Sequence, residues 1–212
     1  ENEVIVFKPA YDCYEPAVEL YGGVIKPVQL DAPDYKIPWE NVNNLVTDKT
    51  KLIIINTPHN PTGYVWTAED FEHLKAIIRD TSAYILSDEV YEHMVFDDRI
   101  HHSICADEEL SAHSIATFSF GKTYHVTGWK LGYAVAPKSL MNEFRKVHQY
   151  NVFCVNHPLQ YALSQILEEP KHYMNLSQFY QQKRDRFLAL IKDSRFKFAS
   201  TQGTYFQLAD YS

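Results

Sequence analysis

Lys122 is the residue in this chain whose setting most invites chemistry. It stands in SFGKTYHVTGWK (residues 119–130), with Ser119 before it and Lys130 after it. Two chemistries compete for it. Gly-Lys-Thr can close a loop that grips nucleotide phosphates, or the lysine amine can hold an aldehyde cofactor covalently while the hydroxyl and second ammonium attend it. The phosphate loop GxxxxGK[ST] needs glycine where Ala116 stands. It also needs a wrapping loop where residues 114–120 read as strand, and no convincing helix start is legible at Lys122. Ser119-x-x-Lys122 as a nucleophile pair fails as well, because the accompanying SDN and KTG elements are absent.

Three other segments carry polar and aromatic residues in the same kind of place, just after a run that reads as a strand. PAYDCY (9–14) follows VIVF, NTPHNPTG (56–63) follows KLIII, and SDEVYE (87–92) follows AYIL. In an open α/β sheet such positions converge on one edge, where ligands bind. Each segment also has a plainer reading. An acidic pair after a strand can be a helix N-cap, Asn-Pro-Thr-Gly is good turn chemistry, and Tyr11 or Tyr91 could be core aromatics.

The elements that must position these residues are legible too. Strands are expected at 4–7, 24–30, 51–56, 83–89, 114–120 and 131–136, several with almost no polar alternation, as central strands covered on both faces have. Between them TAEDFEHLKAIIRD (67–80) opens on a Thr cap and places Phe71, Leu74, Ile77 and Ile78 on one helical stripe. Alternation of this kind predicts an α/β fold with a mostly parallel sheet sandwiched by helices. After Pro137 helices are expected at 139–151, 157–169 and, as one long helix, 172–193. Strands at 196–199 and 204–209 follow. This divides the chain into a large domain over 1–170 and the start of a small α+β domain over 171–212.

Bulk properties narrow the function. A net charge of −7 without a basic run argues against nucleic acid. No apolar run reaches the length needed to span a bilayer, and no signal peptide opens the chain. Cys13, Cys105 and Cys154 are scattered and odd in number, which suits buried or incidental thiols in a reducing, cytoplasmic setting. His101 and His102 lack metal-site spacing and read as part of a solvated loop, so no metal is expected.

Taken in order, FKPAYDCYEP, HNPTG, SDEVYEH, SFGKTYHVTGWKLGY and RKVHQYNVF resemble the class I/II aminotransferases of pyridoxal-phosphate fold type I. The likeness is closest to the subgroup acting on kynurenine, glutamine and methionine, and it runs across essentially the whole chain. Each motif is modestly specific; the ordered set is highly so. The resemblance implies a pyridoxal-phosphate-dependent transfer of an amino group from a large, uncharged amino acid to a 2-oxo acid. Lys122 would form the Schiff base and then carry the proton. Asp88, the first acid of its pair, would face the pyridinium nitrogen. Asn60 and Tyr91 would bond the phenolic oxygen, Tyr11 would stack on the ring, and Ser119 and Lys130 would bind phosphate. Lys130 stands where many members of the wider family carry arginine; a point charge replaces a planar fork there, which fits the subgroup.

The resemblance further implies a homodimer and two parts outside these residues: a phosphate-gripping loop before residue 1 and a carboxylate-binding arginine after residue 212. An internal stretch of a longer protein is therefore expected, poorly able to bind the cofactor alone. A C–S β-lyase and the ligand-sensing domain of a transcription regulator are the competing functions. Tyr91, where the lyases typically carry His, favours the transferase.

Overall fold

In the computed structural model, which describes residues 1–199 and 201–212, the chain builds one six-stranded sheet covered by helices, followed by a helical segment and a two-stranded ribbon. The elements run β1 (Glu3–Lys8), α1 (Tyr14–Leu20), β2 (Val24–Gln29), α2 (Trp39–Leu45), β3 (Thr50–Asn56), α3 (Ala68–Asp80) and β4 (Tyr84–Asp88). They continue with α4 (Glu108–Ser111), β5 (Ser114–Ser119), α5 (Phe120–Thr123), β6 (Gly132–Val135), α6 (Lys138–Asn151) and α7 (His157–Ile166). The last are α8 (Lys171–Met174), α9 (Leu176–Ile191), β7 (Lys197–Phe198) and β8 (Ala209–Asp210).

The sheet order is β2-β1-β3-β4-β5-β6, parallel throughout except for β6, which runs antiparallel to β5. The apolar runs expected as strands are therefore strands, each within two residues of its expected bounds. Ile5, Ile53, Ile55 and Ile85 are essentially sealed and join Phe71, Leu74, Ile77 and Ile78 of α3 in the main core. Burying side chains of this size contributes roughly 1.5–3 kcal/mol each before chain entropy is set against it. No helix among the described residues is long and apolar enough to cross a membrane.

Helix α3 starts where its cap residue requires. Thr67 accepts from the Asp70 backbone N–H at 3.2 Å, and the Asp70 carboxylate accepts from the Thr67 N–H at 2.8 Å, a reciprocal capping box. Asp70 also accepts from Trp39 Nε1 at 2.8 Å and from the Tyr64 hydroxyl at 2.8 Å, tying α2 and the 57–66 loop to the helix start. Thr67→Ala is expected to cost about 1 kcal/mol in urea unfolding. Asp70→Ala should cost more, because it leaves the Trp39 and Tyr64 donors unpaired as well. Equal losses would show that the cap, and not the wider junction, is what Asp70 holds.

Several expectations are corrected. The helix expected over 172–193 is interrupted at Asn175 (φ −94°, ψ 0°), so α8 and α9 are separate. The break lets Leu176 bury against Tyr91 and Met94. Residues 204–209 do not form a strand: Thr204 is fully buried at φ 68°, its N–H bonded to the Met94 carbonyl, and only Ala209–Asp210 pair with β7. PAYDCY runs directly into helix α1, and Phe120–Thr123 form one helical turn where none was legible. The three cysteines are exposed, with none of them buried. His101 is no solvated loop residue either: its Nε2 lies 2.8 Å from the carboxylate of the fully buried Glu89.

Candidate active site

Strand β1 leads outward to β2, and the chain then crosses back to place β3 on the other side of β1. Such a reversal opens a crevice at the carboxyl ends of the strands. A cavity of about 140 Å³ lies there, and Tyr11, Asn60, Asp88, Tyr91 and Lys122 all line it together with Tyr14, Asn56 and Val90. Residues spread over more than a hundred positions thus meet because β1, β3, β4 and β5 all end on one edge.

Asp88 is the last residue of β4, in register with Asn56 of β3 and Thr117 of β5. Side chains alternate across a strand, so Asp88 faces the cavity while Ser87 and Glu89 turn the other way. Glu89 is fully buried and accepts from Ser87 Oγ at 2.8 Å and the Ile104 N–H at 3.0 Å, with His101 on its second oxygen. Strand geometry therefore separates the two acids, one packed into the protein and one presented to the crevice. The Asp88 carboxylate accepts from the Tyr14 hydroxyl at 2.5 Å and the Val90 N–H at 3.3 Å. Burial raises its pKa above the usual carboxylate value, against the opposing pull of Tyr14, Val90 and the Lys122 charge. Asp88 makes no ion pair with the described residues. A cation brought to this carboxylate would be strongly favoured.

Asn56 stitches the neighbouring loop to the same strand end. Its Nδ2 donates to the Asp88 carbonyl at 2.8 Å, and its Oδ1 accepts from the Asn60 N–H at 2.7 Å. The turn that carries Asn60 closes at Gly63, whose φ of +72° suits glycine. A Cβ there would come within 2.7 Å of Thr201. Buried His59 in this loop pairs with Thr62 Oγ1 at 2.7 Å, and burial lowers its pKa to about 4, so it stays neutral near pH 7.

Lys122 sits on the single turn α5. Gly121 lets that turn approach residues 126–127: a Cβ would lie 2.8 Å from Thr127 Cα, and the Gly121 carbonyl accepts from the Val126 N–H and Thr127 Oγ1. Lys122 Nζ donates to the Tyr205 hydroxyl at 3.1 Å and lies 5.6 Å from the ring centre of Tyr91. Tyr91 is buried, and burial pushes its hydroxyl pKa upward, so it remains a donor. Tyr11 is 46% exposed, with an edge-to-face contact to Tyr14 at 5.6 Å. Its ring is free to stack on a planar ligand.

Two expected residues lie outside this lining. Ser119 ends β5 and borders an adjacent cleft with Glu92 and Tyr133; Lys130 is exposed in a left-handed conformation, φ 55°. A larger cleft of about 410 Å³ runs beside α9 between Phe96, Phe187 and Phe206. It offers no carboxylate, so chemistry and not volume selects the smaller cavity.

Three residues at the site were not singled out from the sequence. Tyr14, three positions after Tyr11, carried a faint signal in PAYDCY, and Asn56 stood unremarked at a strand end. Tyr205 had none, since it was read as part of a strand.

The model of aminotransferase class I and II matches residues 1–212. The chain belongs to this family. Members of the family are pyridoxal-phosphate enzymes. Among its relatives, the methionine aminotransferase of Escherichia coli (strain K12) is 46% identical over 212 residues, covering 100% of this chain and 55% of the relative. A kynurenine–oxoglutarate transaminase of Dictyostelium discoideum is 33% identical, covering 100% of this chain and 53% of the relative. The chain thus spans about half the length of the curated relatives it matches. A solved Escherichia coli structure identified as a methionine aminotransferase superposes with a TM-score of 0.96 at 46% identity, over 99% of this chain and 56% of that one. N-succinyldiaminopimelate aminotransferase from Mycobacterium tuberculosis gives 0.94 at 31%, over 99% and 55%. Membership of this family favours neither the lyase nor the regulator.

In the cleft beside this cavity, burial raises the pKa of Glu92 to about 7, against the opposing influence of His101. The fold therefore favours the protonated acid. That contribution is full below the ordinary value of 4.5 and is lost as pH rises through about 7. Glu92→Gln should remove this pH dependence, gaining about 1–2 kcal/mol over the parent at pH 8 relative to pH 4.5 once solvent screening is allowed for. Parallel stability–pH curves in urea for the two proteins would refute it.

Proposed function

We propose that the protein carrying this chain is a pyridoxal-phosphate-dependent aminotransferase that moves an amino group from a large, uncharged amino acid to a 2-oxo acid. Methionine, glutamine, aromatic and kynurenine-like donors are the candidates, in keeping with the names of the relatives. We further infer a homodimer, and a division into a large domain over 1–170 and the start of a small one over 171–212. The observation that carries the function is the meeting of an amine, a half-buried carboxylate without a counter-ion among the described residues and a half-exposed aromatic ring in one cavity. That donor set fits pyridoxal phosphate, whose aldehyde takes up an amine and whose protonated ring accepts electrons from the carbon beside it.

Each residue then has a role its setting supports. Asp88, held by Tyr14 and Val90, offers its carboxylate to the ring nitrogen and keeps a proton there. Tyr11 stacks on the ring and excludes water from one face. Asn60 and the Tyr91 hydroxyl donate to the phenolic oxygen. Ser119 and Lys130 are assigned to the phosphate, one as a hydroxyl donor and one as a point charge. Lys122 would attach the cofactor, and its Nζ, once displaced by the substrate, would take the proton from the substrate's Cα and deliver it to the carbon that had been the cofactor's aldehyde.

The test is amino transfer by the full-length protein. With pyridoxal phosphate present, methionine, glutamine, kynurenine and aspartate are each offered with a 2-oxo acid, and the new amino acid is measured. Methionine, glutamine or kynurenine should outpace aspartate. A preference for aspartate would remove the substrate class, and no transfer from any donor would remove the function.

A further inference from the structure

Lys122 does not hold its place alone. Its Nζ donates to the Tyr205 hydroxyl at 3.1 Å and lies 5.6 Å and 5.8 Å from the ring centres of Tyr91 and Tyr205. The Tyr91 distance is within the reach of cation–π attraction, whereas the ammonium lies beyond the Tyr205 hydroxyl close to that ring's plane, so Tyr205 meets it through its oxygen. Tyr205 is 83 residues away in sequence and is itself fixed. Its ring meets Tyr91 edge-to-face at 5.3 Å and lies 5.6 Å from Tyr180 of α9. On either side, Thr204 bonds through its N–H to the Met94 carbonyl at 2.9 Å, and the Phe206 N–H bonds to Thr204 Oγ1 at 3.2 Å. Three residues beyond Lys122, His125 Nε2 lies 2.9 Å from the Tyr180 hydroxyl. Two tyrosines from beyond residue 171 thus hold Lys122 on the turn and His125 just after it.

We propose that Tyr205 is a positioning residue for Lys122: its phenol oxygen holds the free ammonium within the cavity, and its ring, packed against Tyr91, fixes where that oxygen sits. The inference rests on the reading of Lys122 as the cofactor-binding lysine. A lysine stem has four rotatable carbons, and an amine that is released and must act again is effective only if its position is confined. The Tyr205 oxygen accepts one ammonium N–H, and the Tyr91 ring, against which Tyr205 packs, supplies the wall. Because Tyr205 belongs to the segment that follows α9, any shift of that segment moves the amine's partner too.

The experiment uses the full-length protein stripped of cofactor and treated with an acetylating ester at one fixed pH, with modification read at each lysine by mass spectrometry. Tyr205→Phe keeps the ring and loses the oxygen; Tyr205→Leu loses both. Lys122 should be acetylated about three- to tenfold faster in the first variant and faster still in the second, since an amine released from its acceptor, and then from the ring beside it, is freer to reach the reagent. Lys75 of α3, held by Asp107 at 2.6 Å and Glu72 at 2.7 Å, reports on general loosening and should not change. A Lys122 rate within about twofold of the parent in both variants overturns the proposal. So does a rise at Lys75 in step with Lys122, which would mean the fold had opened. The measurement needs neither cofactor nor substrate, so it can fail while amino transfer is found, and succeed while transfer is absent.

Discussion

Lys122→Ala should abolish covalent cofactor attachment and reduce amino transfer by at least the roughly 10²–10⁴-fold that one positioned acid–base group contributes. The loss should be this severe because the cavity holds no second amine among the described residues. Lys130 is exposed outside its lining, and no other lysine borders it. The check is borohydride reduction of the full-length protein with pyridoxal phosphate, followed by peptide mass analysis. In the parent the adduct belongs on Lys122, and in the variant no cavity residue should carry it. An adduct on another lysine in the parent would end the assignment.

Asp88→Asn is the second large effect, and its sign differs between function and stability. The asparagine amide matches the carboxylate in size and can still pair with Tyr14 and Val90, but it offers no charge to a protonated ring nitrogen. Charged hydrogen bonds in settings of this kind contribute about 1.5–3 kcal/mol, and removing one partner of a buried pair about 3–5 kcal/mol. Transfer should therefore fall roughly 10²–10³-fold, with weaker cofactor binding. Stability of the cofactor-free protein should not fall. Burial raises the Asp88 pKa, so the fold opposes its ionised form, and that opposition is felt at neutral pH and disappears in acid. A neutral isostere escapes it. Reduced turnover with an unchanged or higher melting temperature is the expected pair of results. A variant that melts markedly lower would show that the carboxylate supports the fold instead. Tyr14→Phe, which removes only the 2.5 Å hydroxyl donor, should show a smaller fall in transfer.

Much of this was legible without coordinates because it is local. The apolar β-branched runs 51–56 and 114–120 mark strands, Thr67 marks a helix start, and Asn-Pro-Thr-Gly marks a turn; each signal lies within a few residues of what it controls. The errors fell where tertiary contacts override local preference. The break at Asn175 exists so that Leu176 can bury under Tyr91, and the extended look of 204–209 yields to the buried, left-handed Thr204. His101 looked solvated because nothing nearby in sequence reveals the buried Glu89 carboxylate that it meets.

The residues able to do the chemistry were determined by the sequence alone: a lysine after one strand, an acid after another, and their companions in a recognisable order. Only the tertiary structure decided how they are held. Sheet register turned Asp88 toward the crevice and Glu89 away from it. Packing brought Tyr14 to Asp88 across 74 residues and Tyr205 to Lys122 across 83. A residue's type sets what its side chain can donate or accept, but which partner it meets depends on contacts between distant segments, and those exist only once the chain has folded.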